Sequence, residues 1–87
     1  MEVHYTAAFI RQYNKLNKSL QDEVIEKIEL FKNKSNHTTL KVHALHGRLK
    51  NYHSFSVNYS HRIVFEYISK EEIALLKVGT HDIYDVK

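Results

Sequence analysis

The chain has 87 residues and a formal net charge of +3, with 43% hydrophobic and 26% charged residues. That is enough for one domain with a small core and too little for two. It contains no cysteine, which excludes a disulfide framework, a thiol nucleophile and a cysteine zinc site, and no apolar run approaches the ~18 residues of a membrane span. The start, "MEVHYTAAFI", carries an acid and lacks a basic n-region, so it does not read as a secretion signal and a cytoplasmic location is expected.

In chain order, "MEVHY" alternates Val3 and Tyr5 with polar neighbours and predicts a short strand. Thr6 is placed to cap a helix in which Ala8, Phe9, Tyr13 and Leu16 recur at helical spacing. After "NKS", Ser19 is the expected N-cap of a second helix, with Asp22 in its first turn. Leu20, Val24, Ile28 and Phe31 form the apolar stripe of that helix, widened by Ile25. So short a link predicts an antiparallel helical hairpin. "KSNHTT" is a polar loop.

Beyond residue 39 the period changes from 3.6 to 2. "LKVHAL" is a short extended piece and "HGRLKN" a turn region around Gly47. In "YHSFSVNY", Phe55, Val57 and Tyr59 share one face and Ser54, Ser56 and Asn58 the other. After a connection near Ser60, "HRIVFEYI" puts Ile63, Phe65 and Tyr67 on one face and Arg62, Val64 and Glu66 on the other. "SKEE" is a turn, and "IALLKVG" an apolar strand interrupted by Lys77. The whole predicts one domain over residues 1–87. Its class is α+β, with a short N-terminal strand and an antiparallel helical hairpin packed on a three- to four-stranded antiparallel sheet.

Charge and pattern point to one side of that sheet. Residues 40–62 hold Lys41, Arg48, Lys50 and Arg62 without an Asp or Glu, together with four of the seven histidines. An acid-free basic segment suits a polyanion, since each phosphate contact favours a cation and suffers from a nearby carboxylate; a solvated basic face without a partner is the plainer reading. If Phe55, Val57, Ile63 and Phe65 are buried against the helices, Ser54, Ser56, Asn58 and Arg62 point away from them and offer a floor for a polar ligand. "HALH" does not make a metal site: on a strand, i and i+3 lie on opposite faces, and no carboxylate or cysteine nearby completes a set. No metal or other cofactor is expected.

"KVHALHGRLKNYHSFSVNYSHRIVFEY" followed by "LLKVGTHDIY" closely resembles the RelE/ParE superfamily of bacterial toxins from type II toxin–antitoxin pairs. The nearest resemblance is to its messenger-RNA-cleaving members of the YafQ and YoeB kind, and the matching run covers roughly the C-terminal half. It implies a RelE-like two-layer fold and an endoribonuclease. Arg62 of "HRIVF" takes the place of the strand arginine that contacts the scissile phosphate. His81 and Tyr84 take the places of the C-terminal histidine and aromatic at the reacting centre, and His43 that of the Glu or His before the turn. Ser56 and Ser60 stand where YafQ-like proteins carry a His and an Asp, and His61 stands in their tryptophan position.

Metal-free RNA cleavage needs a base for the 2′-hydroxyl proton, a cation for the developing phosphorane charge and an acid for the 5′-oxygen. Imidazoles suit both proton roles, and arginine suits the phosphate. His43 as base and His81 as acid is one assignment and the reverse is another; Tyr84 stacks on a base, bonds the phosphate or simply anchors the tail. Arg62 instead pairs with Glu66 in the plainer reading. Lys41, His46, Arg48, Lys50, Ser56 and His61 are the expected RNA contacts. The expected partners are mRNA, the ribosome with its rRNA, and a small acidic antitoxin, and no membrane. A ParE-like inhibitor of DNA gyrase, and an inactive relative that only binds its antitoxin, are the alternatives.

Overall fold

The computed structural model describes residues 1–49 and 51–80. The expectations for Lys50, His81 and Tyr84 fall outside the described residues. Strand β1 (Glu2–Tyr5) leads into helix α1 (Ala7–Asn14), then helix α2 (Lys18–Phe31). Strands β2 (His43–Ala44), β3 (His53–Ser56), β4 (Arg62–Ser69) and β5 (Glu72–Gly79) follow, with short 3₁₀ turns at Lys34–Asn36 and Gly47–Leu49. The class is the α+β arrangement read from the sequence, two helices packed on a mostly antiparallel sheet.

Each helix begins at a side-chain cap. Thr6 accepts a hydrogen bond from the Phe9 amide at 3.2 Å, satisfying one orphan donor of α1. For α2 the cap is Asn17 rather than Ser19: its Oδ1 accepts from the Leu20 amide at 2.9 Å. Asn caps as well as Ser, and the earlier start lets Lys18 pair with Asp22 at i, i+4. Val24, Ile28 and Phe31 of the α2 stripe are buried, whereas Ile25 is exposed. Ile25 instead lines an apolar cleft of about 310 Å³ with Tyr5, Phe9, Ile10 and Tyr13.

The sheet runs in the order β1-β5-β4-β3-β2. The last four strands form the expected antiparallel meander, and β1 adds to its far edge parallel to β5, Glu2 opposite Glu72 and Tyr5 opposite Leu75. No local pattern announces that pairing. A register shift in β5 between the Val64 and Phe65 pairings inserts an extra residue opposite β4. One face of the sheet meets the helices through Phe55, Val57, Ile63, Phe65, Ile73, Leu75 and Val78. Phe31 is the hub of that core: its ring stacks on Phe55 at 4.6 Å and meets Phe65 edge-on at 4.9 Å. On its other side it stacks on His37 at 4.5 Å, so the loop after α2 is tied to the core by an aromatic pair. No described helix is long and apolar enough to cross a membrane.

Candidate functional site

Strand register assembles the face turned away from the helices. His43 opposes Ser54, Ser54 opposes Val64, and Val64 opposes Lys77, so these four form one row across four strands. Ser56 opposes Arg62, and Arg62 opposes Gly79, in the next row. The face is more covered than the alternation suggested: Ser54 and Val64 are buried at the sheet centre. Lys77, an interruption in an apolar strand by sequence, is a cation in the His43 row.

Arg62 is the best-held side chain on this face. Its Nη1 donates to the backbone carbonyls of Asn58 at 2.6 Å, His61 at 3.0 Å and Tyr59 at 3.3 Å. Arginine carries five N–H donors in a planar fork. Nη1 is therefore spent on the β3–β4 turn, while Nε and Nη2 make no hydrogen bond to any described residue. The alternative pairing with Glu66 does not form: Arg62 has no ion pair among the described residues. Three carbonyls concentrated in one turn are nearer than a carboxylate two strand-periods away.

The turn itself departs from the expected alternation. Asn58 does not belong to the open face. Its Oδ1 accepts from the Ser60 and His61 amides at 2.9 and 2.8 Å, and its Nδ2 donates to Glu23 of α2 at 2.9 Å. The Val57 amide bonds the His61 carbonyl, closing the turn. Such a side-chain-to-backbone turn offers the chain an alternative to the ladder, and it ends β3 at Ser56. Tyr59, expected on the buried side with Phe55 and Val57, is thereby thrown to the tip, 97% exposed. His61 points its Nδ1 at Ser60 Oγ and Asn58 Oδ1, 3.0 and 3.2 Å away, so it is engaged in the turn.

At the other end of the row His43 is exposed. Its Nδ1 lies 2.8 Å from the carbonyl oxygen of Lys41. Lys41, His46 and Arg48 are all exposed, on the loops flanking β2. His43 and His53 lie on opposite faces. His53 packs against Phe65 and Tyr67, and burial first, then the nearby His43, holds its pKa below the ordinary histidine value. Its Nδ1 is buried without a hydrogen-bond partner among the described residues.

Among the described residues, the one group with metal-ligand spacing is Glu2, His4 and Glu72, where β1 meets β5. His4 Nε2 lies 3.7 and 3.8 Å from the two carboxylates, an ordinary ion-pair arrangement for a protonated imidazole. It sits at the opposite edge of the sheet from β2 and has no part in the His43–Arg62 face. Sequence reasoning passed over Lys77, because its place in the row depends on pairing with β4. It also passed over the Lys41 carbonyl, because a backbone atom leaves no mark in a motif.

Neither a protein-family model nor a curated protein sequence matches the chain. Solved structures do. YafQ from Escherichia coli superposes with a TM-score of 0.78 at 14% identity, covering 95% of this chain and 96% of YafQ. A chain of the RelBE2 toxin–antitoxin complex from Mycobacterium tuberculosis gives 0.72 at 17% identity, over 92% of this chain and 96% of that one. One from the YoeB–YefM complex of Staphylococcus aureus gives 0.72 at 18% identity, over 93% and 97%. These likenesses establish the fold: the chain is built as the YafQ, RelBE2 and YoeB–YefM chains are.

Proposed function

We propose that this chain is the toxin of a type II toxin–antitoxin pair, a metal-independent endoribonuclease that cleaves mRNA in the cytoplasm, on the ribosome, and so stops translation. The observation that carries this reading is Arg62. One nitrogen anchors it to three turn carbonyls and its remaining fork is presented on a sheet face otherwise lined by His43, Ser56 and Lys77. A pre-positioned guanidinium beside a second cation suits two phosphate oxygens that gain charge in the transition state. The shared fold with YafQ, RelBE2 and YoeB supports the toxin role.

In this mechanism His43 takes the 2′-hydroxyl proton and the oxygen attacks phosphorus. Arg62 and Lys77 stabilise the added negative charge. His81 protonates the departing 5′-oxygen and Tyr84 steadies the flanking nucleotide. Lys41, His46, Arg48, Lys50, Ser56 and His61 extend the contact along RNA and rRNA. The partner is a small acidic antitoxin whose carboxylates match the acid-free segment 40–62 and which orders on binding.

Induction in cells with mapping of transcript 5′ ends tests the reading. New ends in translated messages are expected, and His43→Ala should lower cleavage by roughly 10²- to 10⁴-fold, the usual worth of a general base. Intact RNA accompanied by DNA breaks would instead identify a gyrase poison. Intact RNA and DNA, with tight binding of the product of a neighbouring acidic reading frame, would identify an inactive relative.

A further inference from the structure

Lys41 is the one described non-glycine residue with a positive φ, at 60°. Side chains other than glycine, asparagine and aspartate seldom adopt that left-handed conformation, and it persists where surrounding structure over-determines it. Here the surroundings do so from both sides. The Lys41 amide bonds Thr38 O at 3.1 Å and the Val42 amide bonds His37 O at 3.0 Å. The intervening Leu40 is buried, and its carbonyl accepts from the Ser56 amide at 2.9 Å. His37 is in turn stacked on Phe31 and bonded through Nε2 to the Phe31 carbonyl at 2.8 Å. The outcome of this locked turn is a carbonyl 2.8 Å from His43 Nδ1.

A carbonyl oxygen has no proton to give, so the proton in that contact belongs to Nδ1. The neutral imidazole then carries its lone pair on Nε2, the nitrogen that remains to accept a proton. We propose that Lys41 is a positioning residue whose left-handed backbone fixes His43 as the Nδ1–H tautomer and so prepares Nε2 as a proton acceptor. This deepens the nuclease reading by choosing between the two acid/base assignments. The choice rests on a backbone conformation, separately from whatever the Lys41 ammonium contributes to binding RNA.

The tautomer is measurable without any cleavage assay. At about pH 8, ring ¹⁵N shifts of His43 should show Nδ1–H in excess over Nε2–H by about fivefold, as a net-stabilising hydrogen bond implies. Lys41→Gly, which adopts positive φ freely, should keep that excess. Lys41→Val, whose branched side chain resists it, should lose it, while amide shifts outside residues 36–44 stay in place. Lys41→Ala, if the valine chain does not fold, should fall between them. A wild-type Nε2–H majority, or a Lys41→Val ring indistinguishable from wild type, would overturn the proposal. The predicted shifts in a protein that cuts no RNA would uphold it and refute the nuclease reading alone.

Discussion

Replacing Arg62 by alanine tests whether this side chain, proposed as a ligand for phosphate, is also a structural member. Nη1 donates to carbonyls at 2.6, 3.0 and 3.3 Å in a half-buried turn. The first two have good donor–acceptor lengths, and the third shares the same pair of protons. Hydrogen bonds involving a charged group contribute about 1.5–3 kcal/mol, and the exposed rim of the turn puts the sum near the lower half of that range, at about 2 kcal/mol. In a domain of this size one kcal/mol moves Tm by roughly 4–8 °C, so Arg62→Ala should melt about 8–16 °C below the parent by far-UV circular dichroism. Arg62→Lys keeps the charge but offers a single ammonium, which cannot hold the turn and face a phosphate together; it should recover about half the loss in Tm, on the same scale, and little of the proposed RNA affinity. An Arg62→Ala protein melting within about 3 °C of the parent, where at least ~8 °C is expected, would refute the reasoning: the carbonyl contacts would then stabilise nothing, and the arginine would be free to swing.

Phe31→Ala removes the ring shared by Phe55, Phe65 and His37, and should cost about 3–5 kcal/mol in urea denaturation; a smaller loss would mean that the core closes over the hole. Asn58→Asp preserves the acceptor for the Ser60 and His61 amides but sets a carboxylate against Glu23. It should lower stability at pH 7 by about 1–3 kcal/mol and progressively less as the pH falls below the carboxylate range, a trend opposite to simple loss of the turn. His53 has a folded pKa below its unfolded value near 6.5, so the unfolded chain binds the proton first. Its contribution to stability is intact above that value and declines as pH falls through 6.5 toward the folded pKa. His53→Phe should therefore flatten the fall in stability between about pH 7 and 5, and an unchanged slope would place the acid sensitivity in another residue.

How far the sequence carries the fold depends on how local each interaction is. The helices and the β3–β4 alternation follow from apolar spacing within a dozen residues, and Phe9, Val24, Ile28, Phe55, Ile63 and Phe65 are all buried as that spacing implies. Thr6 caps where its neighbours say it should. The departures are non-local or depend on backbone atoms. Asn58 turned inward because Glu23 waits on α2, and Tyr59 went to the tip as a result. Lys77 joined the His43 row only through three successive strand pairings. Arg62 was legible as a candidate phosphate ligand from its motif, but its grip on three carbonyls was not, because they become neighbours only after the turn closes. His43 was legible as a proton-transfer candidate; the Lys41 carbonyl beside its ring was not.

The parallel pairing of β1 with β5 has a consequence for vectorial synthesis. Glu2 through Tyr5 emerge from the ribosome about 70 residues before their partners, Glu72 through Leu75. Until then the first strand has no neighbour along its inner edge, and Thr6 lacks the Leu75 carbonyl that accepts its hydroxyl proton at 2.7 Å. Closing so long a loop must precede any reward from the contact, so completion of the sheet waits for the synthesis of β5. The open face needs β4 and β5 side by side, so Arg62 and Lys77 meet only at that stage. The face that carries both cations is in this way absent from any chain whose fifth strand has yet to emerge.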